Sequence, residues 1–115
     1  MSDCIFCRIV KGEIPAKEVA RSAGAVAFHD LNPQAPVHLL VVPITHYDNA
    51  AAADSDEGEH TLAATLRLAV QVAGLLGLAD SGYRLVMNVG AQGGQSVAHL
   101  HVHLLGGRQL TWPPG

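Results

Sequence analysis

Apolar positions recur along this chain with two different periods, and the alternation between them predicts the elements. "CIFCRIVKG" has the spacing of a short amphipathic helix, closed by the turn "GEIP", and a strand follows near "KEVARS". "AVAFHDL" and "HLLVVPI" read as two strands joined by "NPQAP", where two prolines block a helix and favour a reversal. From Ser55 to Leu78 the period lengthens to that of a helix. Ser55 or Asp56 stands as cap, acids occupy the first turn, and Leu62, Leu66, Ala69, Val70, Ala73 and Leu76 form the apolar stripe. "YRLVMNV", the glycine-rich loop "GAQGGQS" and a last strand, "HLHVHLL", complete the chain. Strands with short reversals around one long and one short helix predict an α+β domain built on an antiparallel sheet.

Composition narrows the class. With 115 residues, 49% hydrophobic and 15% charged, the chain has the size and apolar content of one globular domain, residues 1–115. There is no run of eighteen apolar residues, and "MSDCIFCRIVKGEIP" lacks the apolar core of a secretory signal, so a cytoplasmic protein is expected. A net charge of -3, with seven Lys and Arg dispersed, argues against nucleic acid or a membrane surface as partner.

The last strand carries the candidate chemistry. Side chains alternate across a strand, so His99, His101 and His103 share one face while Leu100, Val102 and Leu104 take the other. Histidines can simply fill a half-exposed face. They can also bind metal, but the outer two stand about 13 Å apart along a strand against Zn–N bonds of about 2 Å, so at most two could share an ion. A third reading is nucleophilic attack on phosphorus, because a neutral imidazole can attack and later be displaced by water. The segment just upstream favours it: Asn88, Gln95 and Ser96 offer polar groups, and the intervening glycines let backbone N–H groups approach an anion.

"CIFC" sets Cys4 and Cys7 three apart on one helical face. Two zinc thiolates, a redox pair or two small packed side chains would all fit. A redox pair normally lies beside a βαβ pattern, which this chain lacks, and zinc requires two further ligands.

"QSVAHLHVHLLGGRQ" resembles the signature of the histidine triad superfamily, and the flanks are similar to its Hint branch of nucleoside phosphoramidases. "IFCRIVKGEIPAK", "AFHDLNPQAPVHLLVVP", "NVGAQGGQSVAHLHVHLLGGRQ" and "WPPG" extend the likeness over nearly the whole chain, in order. The resemblance implies a five-stranded antiparallel sheet that pairs into a ten-stranded sheet across a homodimer. It implies that His101 attacks the α-phosphate, His103 hydrogen-bonds the phosphate, His99 orients His101 through its carbonyl, and His38 supports the nucleophile. Ser96 matches the residue that assists the leaving nitrogen, and Asn88, Gln95 and Val97 match phosphate contacts. Phe6, Ile9, Phe28, His29 and Leu31 match the base pocket, Asp30 the ribose-binding acid, and Trp112 a rim near the partner's site. Some related proteins complete a structural zinc site on the two cysteines with histidines equivalent to His46 and His99. Thr111 stands where histidine is frequent, a departure that bears on the leaving group.

The implied function is hydrolysis of the P–N bond of purine nucleoside monophosphate derivatives through a nucleotidyl-histidine, with no catalytic cofactor. A nucleotide- or partner-binding regulator with vestigial hydrolysis, or a dinucleoside polyphosphate hydrolase, are the alternatives. An intact nucleophile with Ser96 and His38 argues for the first reading, since binding alone needs no nucleophile.

Overall fold

The computed structural model describes residues 3–115. Helix α1 spans Ile5–Val10, and Cys4 caps it: its Sγ accepts the backbone N–H of Cys7 at 3.4 Å. Cys4 therefore precedes the helix rather than lying on its face, and Gly12, with φ 77°, turns the chain out of it. Strands β1 (Glu18–Arg21), β2 (Ala25–His29), β3 (Val37–Pro43), β4 (Tyr83–Val86) and β5 (Val102–Gly106) form one antiparallel sheet in the order β1-β2-β3-β5-β4. The five strands and the α+β class are those the sequence predicts.

The long helix α2 runs Asp56–Leu75, with the Ser55 hydroxyl accepting the Gly58 N–H at 2.9 Å and three acids in the first turn. It ends three residues before Leu78, because Gly77 adopts φ 76° and the chain turns to bury Leu78 against the sheet. The buried stripe differs from the predicted one. Ala69 and Ala73 face the core as expected, but Leu66, Val70 and Leu76 are exposed, and Thr65, Leu68 and Val72 are buried instead. The two alanines bring the helix close to the sheet, and Thr65 can be buried because its hydroxyl donates to the Thr61 carbonyl at 2.8 Å.

The sheet thus has two different faces. On one, Ala25, Ala27, Leu39, Val41, Val102 and Leu104 pack against α2, and each fully buried Val or Leu contributes about 1.5–3 kcal/mol. On the other, Val26, Val42, Leu40 and Phe28 pack with Phe6 of α1. Leu40 is paired with His103 in the ladder, and His38 is two residues from Leu40 along β3, so both histidines belong to this second face.

The predicted histidine strand is shorter than its pattern. Only His103 lies in β5; His99 sits in the bend at 97–99, where its N–H goes to the Val97 carbonyl at 2.9 Å, His101 just precedes the strand, and both are buried rather than displayed. Continuing the β3–β5 register would set Leu100 opposite Pro43, which has no N–H to give the ladder. The chain departs there, and the Leu100 N–H goes to the Tyr47 carbonyl at 2.7 Å.

Candidate functional site: two histidine clusters joined at His99

On the α1 face, β3 and β5 bring His38, His101 and His103 together with Asp30, which follows β2. His101 Nδ1 lies 2.7 Å from the carbonyl oxygen of its neighbour His99. A carbonyl only accepts, so Nδ1 carries the proton and Nε2 is left as the basic atom. His101 is buried, with Phe6 standing edge-on to its ring at 5.2 Å. This is the protonation state that a nitrogen nucleophile requires.

The same reasoning fixes the ring of His38. The backbone N–H of Gln34 donates to His38 Nδ1 at 2.9 Å, so the proton of a neutral His38 sits on Nε2. That Nε2–H faces His103 Nδ1 at 2.9 Å; when it is given there, His103 carries its own N–H on Nε2, free to donate. Burial pushes the proton affinity of His38 down, opposed by the Asp30 carboxylate 3.3 Å away. Burial, followed by the neighbouring His101 and His38, lowers His103 as well, again opposed by Asp30. The resemblance implies that His38 supports the nucleophile; its ring instead reaches His103, and it is the His99 carbonyl that holds His101.

The second cluster lies beside the first. Cys4 Sγ is 3.3 Å and Cys7 Sγ 3.5 Å from His99 Nδ1; Cys7 Sγ is 3.3 Å from His46 Nδ1, and the two Nδ1 atoms are 3.0 Å apart. All four donor atoms fall within 4.8 Å of one another. Tetrahedral zinc with bonds of about 2.0–2.3 Å needs donor separations of about 3.3–3.8 Å, close to these values. The outer nitrogens settle which atom faces inward: His99 Nε2 donates to the Pro43 carbonyl at 3.0 Å, and His46 Nε2 to Asp48 Oδ1 at 2.8 Å. Both Nδ1 lone pairs therefore converge without a proton between them, an arrangement that a cation stabilises. Burial pushes His99 down to about 4, so this ring is neutral and ready to ligate. The donor set is that of a structural zinc site, with two thiolates, two imidazoles and no further position among them for a reactant.

Asp30, His38 and His103 also hold potential ligand atoms within 4.8 Å of one another, but their protons are arranged the other way. A metal on His38 Nε2 would force the proton onto Nδ1, directly against the Gln34 N–H. One cluster is built to take a cation and the other to pass hydrogen bonds.

Around the histidines, Phe6 and Phe28 meet edge-to-face with centroids 5.7 Å apart, and Ile9 and Val97 pack against the same apolar cluster. Gln95 ties the glycine-rich loop together: its Oε1 accepts the Gly90 N–H at 3.0 Å, and its Nε2 donates to the carbonyls of Val97 at 2.9 Å and Asp48 at 2.6 Å. Its amide is thus committed to the loop and to the turn that carries His46. Gly90 and Gly94, with φ 74° and 78°, give the loop its left-handed corners. Ser96 is exposed at the loop's exit, and Asn88 is half-buried just beyond β4. His29 is exposed at the end of β2, and Leu31 and Trp112 are 96% and 82% exposed, so neither of the latter two closes a pocket within one chain. Arg84 holds the tail next to Trp112 by donating to the Thr111 carbonyl at 2.7 Å. A hollow of about 490 Å³ at the outer edge of the sheet, lined by Arg84 and Arg108 among others, contains none of the histidines and no nucleophile beyond Ser81 and Tyr83.

Sequence reasoning missed the groups that orient His38, His46 and His99, though not the His99 carbonyl that holds His101. Asp48 leaves a faint signal, a carboxylate two residues after His46, whereas the Gln34 N–H and the Pro43 carbonyl are backbone atoms with no signature at all.

The model of the HIT domain matches residues 11–110. This chain belongs to the HIT family. It superposes on the crystal structure of a HIT family hydrolase from Legionella pneumophila Philadelphia 1 with a TM-score of 0.93 and 49% identity, covering 98% of this chain and 100% of that one. A histidine triad nucleotide-binding protein from Candida albicans matches with a TM-score of 0.81 and 30% identity, over 96% of this chain and 83% of that one. A 14 kDa zinc-binding protein of Zea mays is 47% identical over 99% of this chain and 89% of its own length. The architecture is therefore that of the HIT family hydrolases, and a close relative in sequence bears the name of a zinc-binding protein.

Proposed function

We propose that this HIT protein is a purine nucleoside phosphoramidase, hydrolysing the P–N bond of adenosine 5′-phosphoramidate-type substrates to AMP and an amine. The observation that carries the reading is the commitment of His101 Nδ1–H to the His99 carbonyl, which leaves a basic Nε2 in a buried, aromatic-walled setting. His101 Nε2 attacks phosphorus; the P–N bond breaks, and the departing amine takes a proton from solvent through the Ser96 hydroxyl. Water then attacks the nucleotidyl-histidine, forming a P–O bond, breaking the P–Nε2 bond, releasing one proton back to solvent and returning His101 to its starting state. His103 donates from Nε2 to a phosphoryl oxygen throughout, held to that task by His38. Asn88, the Val97 segment and the loop tied by Gln95 surround the phosphate; Phe6, Ile9, Phe28, His29 and Leu31 receive the base, and Asp30 the ribose hydroxyls.

Zinc on Cys4, Cys7, His46 and His99 supplies a structural crosslink between the N-terminal segment, the turn after β3 and the approach to β5. No separate catalytic cofactor is required, because the attacking group and the hydrogen-bond donors are all side chains of this chain.

The active protein is a homodimer whose two sheets join edge to edge through β4. The sheet order leaves β4 at an edge, and Leu66 and Val70 expose a second apolar stripe on α2. In that assembly Trp112 of one subunit contributes to the rim of the other's site. Among the described residues no helix is long and apolar enough to cross a membrane. A cytoplasmic location accords with two cysteines used as zinc ligands.

AMP release from adenosine 5′-phosphoramidate tests the proposal. Release by the wild type that is abolished in His101→Ala supports it. No release from a wild type that still binds AMP would replace it with a nucleotide-binding role.

A further inference from the structure

His38 has a single N–H to give, on Nε2, and two acceptors face it. One is His103 Nδ1 at 2.9 Å; the other is Asp30 Oδ2 at 3.3 Å. Asp30 is held in this place from its own side, since its Oδ1 accepts the Asn32 N–H at 2.8 Å in the turn after β2. The carboxylate is only 18% exposed and the His38 ring 5%, so the competition takes place largely out of water, where an ionised acceptor is a strong rival. Where the His38 hydrogen goes decides where His103 carries its own. If it points to His103, the proton of His103 sits on Nε2, the phosphate-facing donor. If it turns to Asp30, His103 Nδ1 loses its partner, and the two His103 tautomers become comparable.

We propose that Asp30 is a positioning residue that links ribose recognition to the phosphate site: ribose hydroxyls that occupy Asp30 Oδ2 remove the rival acceptor and commit the His38 hydrogen to His103. This rests on the phosphoramidase reading only in taking Asp30 as the ribose contact. The effect makes ribose a determinant of turnover as well as of binding. A substrate without its 2′- and 3′-hydroxyls leaves Asp30 in competition with His103, and the cost appears in kcat. The titratable groups around the pair agree with this arrangement: His101 and His38 disfavour a charged His103, and Asp30 is the one group among them that favours it.

The test has two arms. In the first, the ring nitrogens of ¹⁵N-histidine-labelled protein report the His103 tautomer by NMR. Asp30→Asn in the free protein, and AMP added to the wild type, should each move His103 toward the Nε2–H form; 2′,3′-dideoxy-AMP should not. In the second, the 2′,3′-dideoxy phosphoramidate should lower the wild-type kcat by about ten- to a hundred-fold, the range expected for a charge-assisted hydrogen bond, and that ratio should collapse toward one in Asp30→Asn. An unchanged His103 tautomer in Asp30→Asn, or a dideoxy effect confined to KM, would overturn the inference. If the wild type releases no AMP, it is the phosphoramidase reading that fails, and the free-protein comparison of Asp30→Asn with wild type decides the Asp30 link by itself.

Discussion

The carbonyl oxygen of His99 accepts the Nδ1–H of His101 at 2.7 Å, while the ring of His99 turns its own Nδ1 to Cys4 and Cys7. One residue therefore belongs to both clusters, through its backbone in one and its side chain in the other. Anything that loosens the ring of His99 loosens the atom that sets the tautomer of His101.

Metal removal should act on stability and, through it, on turnover. A zinc chelator, or Cys4→Ser with Cys7→Ser, should lower the melting temperature by more than about 10 °C, since a structural zinc contributes several kcal/mol to a domain of this size. Metal analysis should give one zinc per chain in the wild type and none in the double variant. An unchanged melting curve after complete removal would show that the donor set does not crosslink the fold.

His38 acts through His103, so their substitutions should not add. His38→Ala and His103→Ala should each reduce kcat/KM by about ten- to a hundred-fold, and the double variant should be little worse than the more damaging single one. Fully additive losses would mean that the 2.9 Å contact carries no coupling.

Acid should destabilise the native chain through these same rings. His99, pushed down to about 4, and His38 and His103, both lowered, take up protons less readily folded than unfolded. The unfolded chain therefore binds more protons below the ordinary histidine value of about 6.5, and stability falls as pH drops from there toward about 4. Denaturant titrations at successive pH values check it, and His38→Gln should flatten part of the slope.

Charge placed on the exposed stripe of α2 should separate the subunits and leave the fold intact. Val70 is 50% exposed and Leu66 39%, so Val70→Glu combined with Leu66→Glu removes little from the core. Sedimentation should show a dimer in the wild type and a monomer in the variant, with an unchanged far-UV spectrum. A wild type that is already monomeric would remove the joined sheet from the account.

Strand and helix types were legible because alternation and helical spacing are strong along "HLLVVPI" and "SDEGEHTLAATLRLAV". On α2 the helical spacing places Ala69 and Ala73 in the core but also points Leu66, Val70 and Leu76 there, whereas Thr65, Leu68 and Val72 complete the actual buried face. The histidine pattern revealed the candidate chemistry but not its depth, because nothing in the segment itself signals that Pro43 ends the ladder above His101. Cys4 and Cys7 were visible as a pair. Their partnership with His46 and His99 spans elements far apart in the chain, so it came from family likeness and became geometric only when the fold brought the four donors together.

The claim on which the rest depends is that phosphorus passes through His101 Nε2 before it meets water. Hydrolysis of an adenosine 5′-phosphorothioamidate of one configuration at phosphorus, run in ¹⁸O-labelled water, tests it directly, because each in-line displacement inverts the centre. Two displacements predict overall retention in the labelled nucleoside phosphorothioate. Inversion would mean a single attack by water and would remove His101 as the nucleophile.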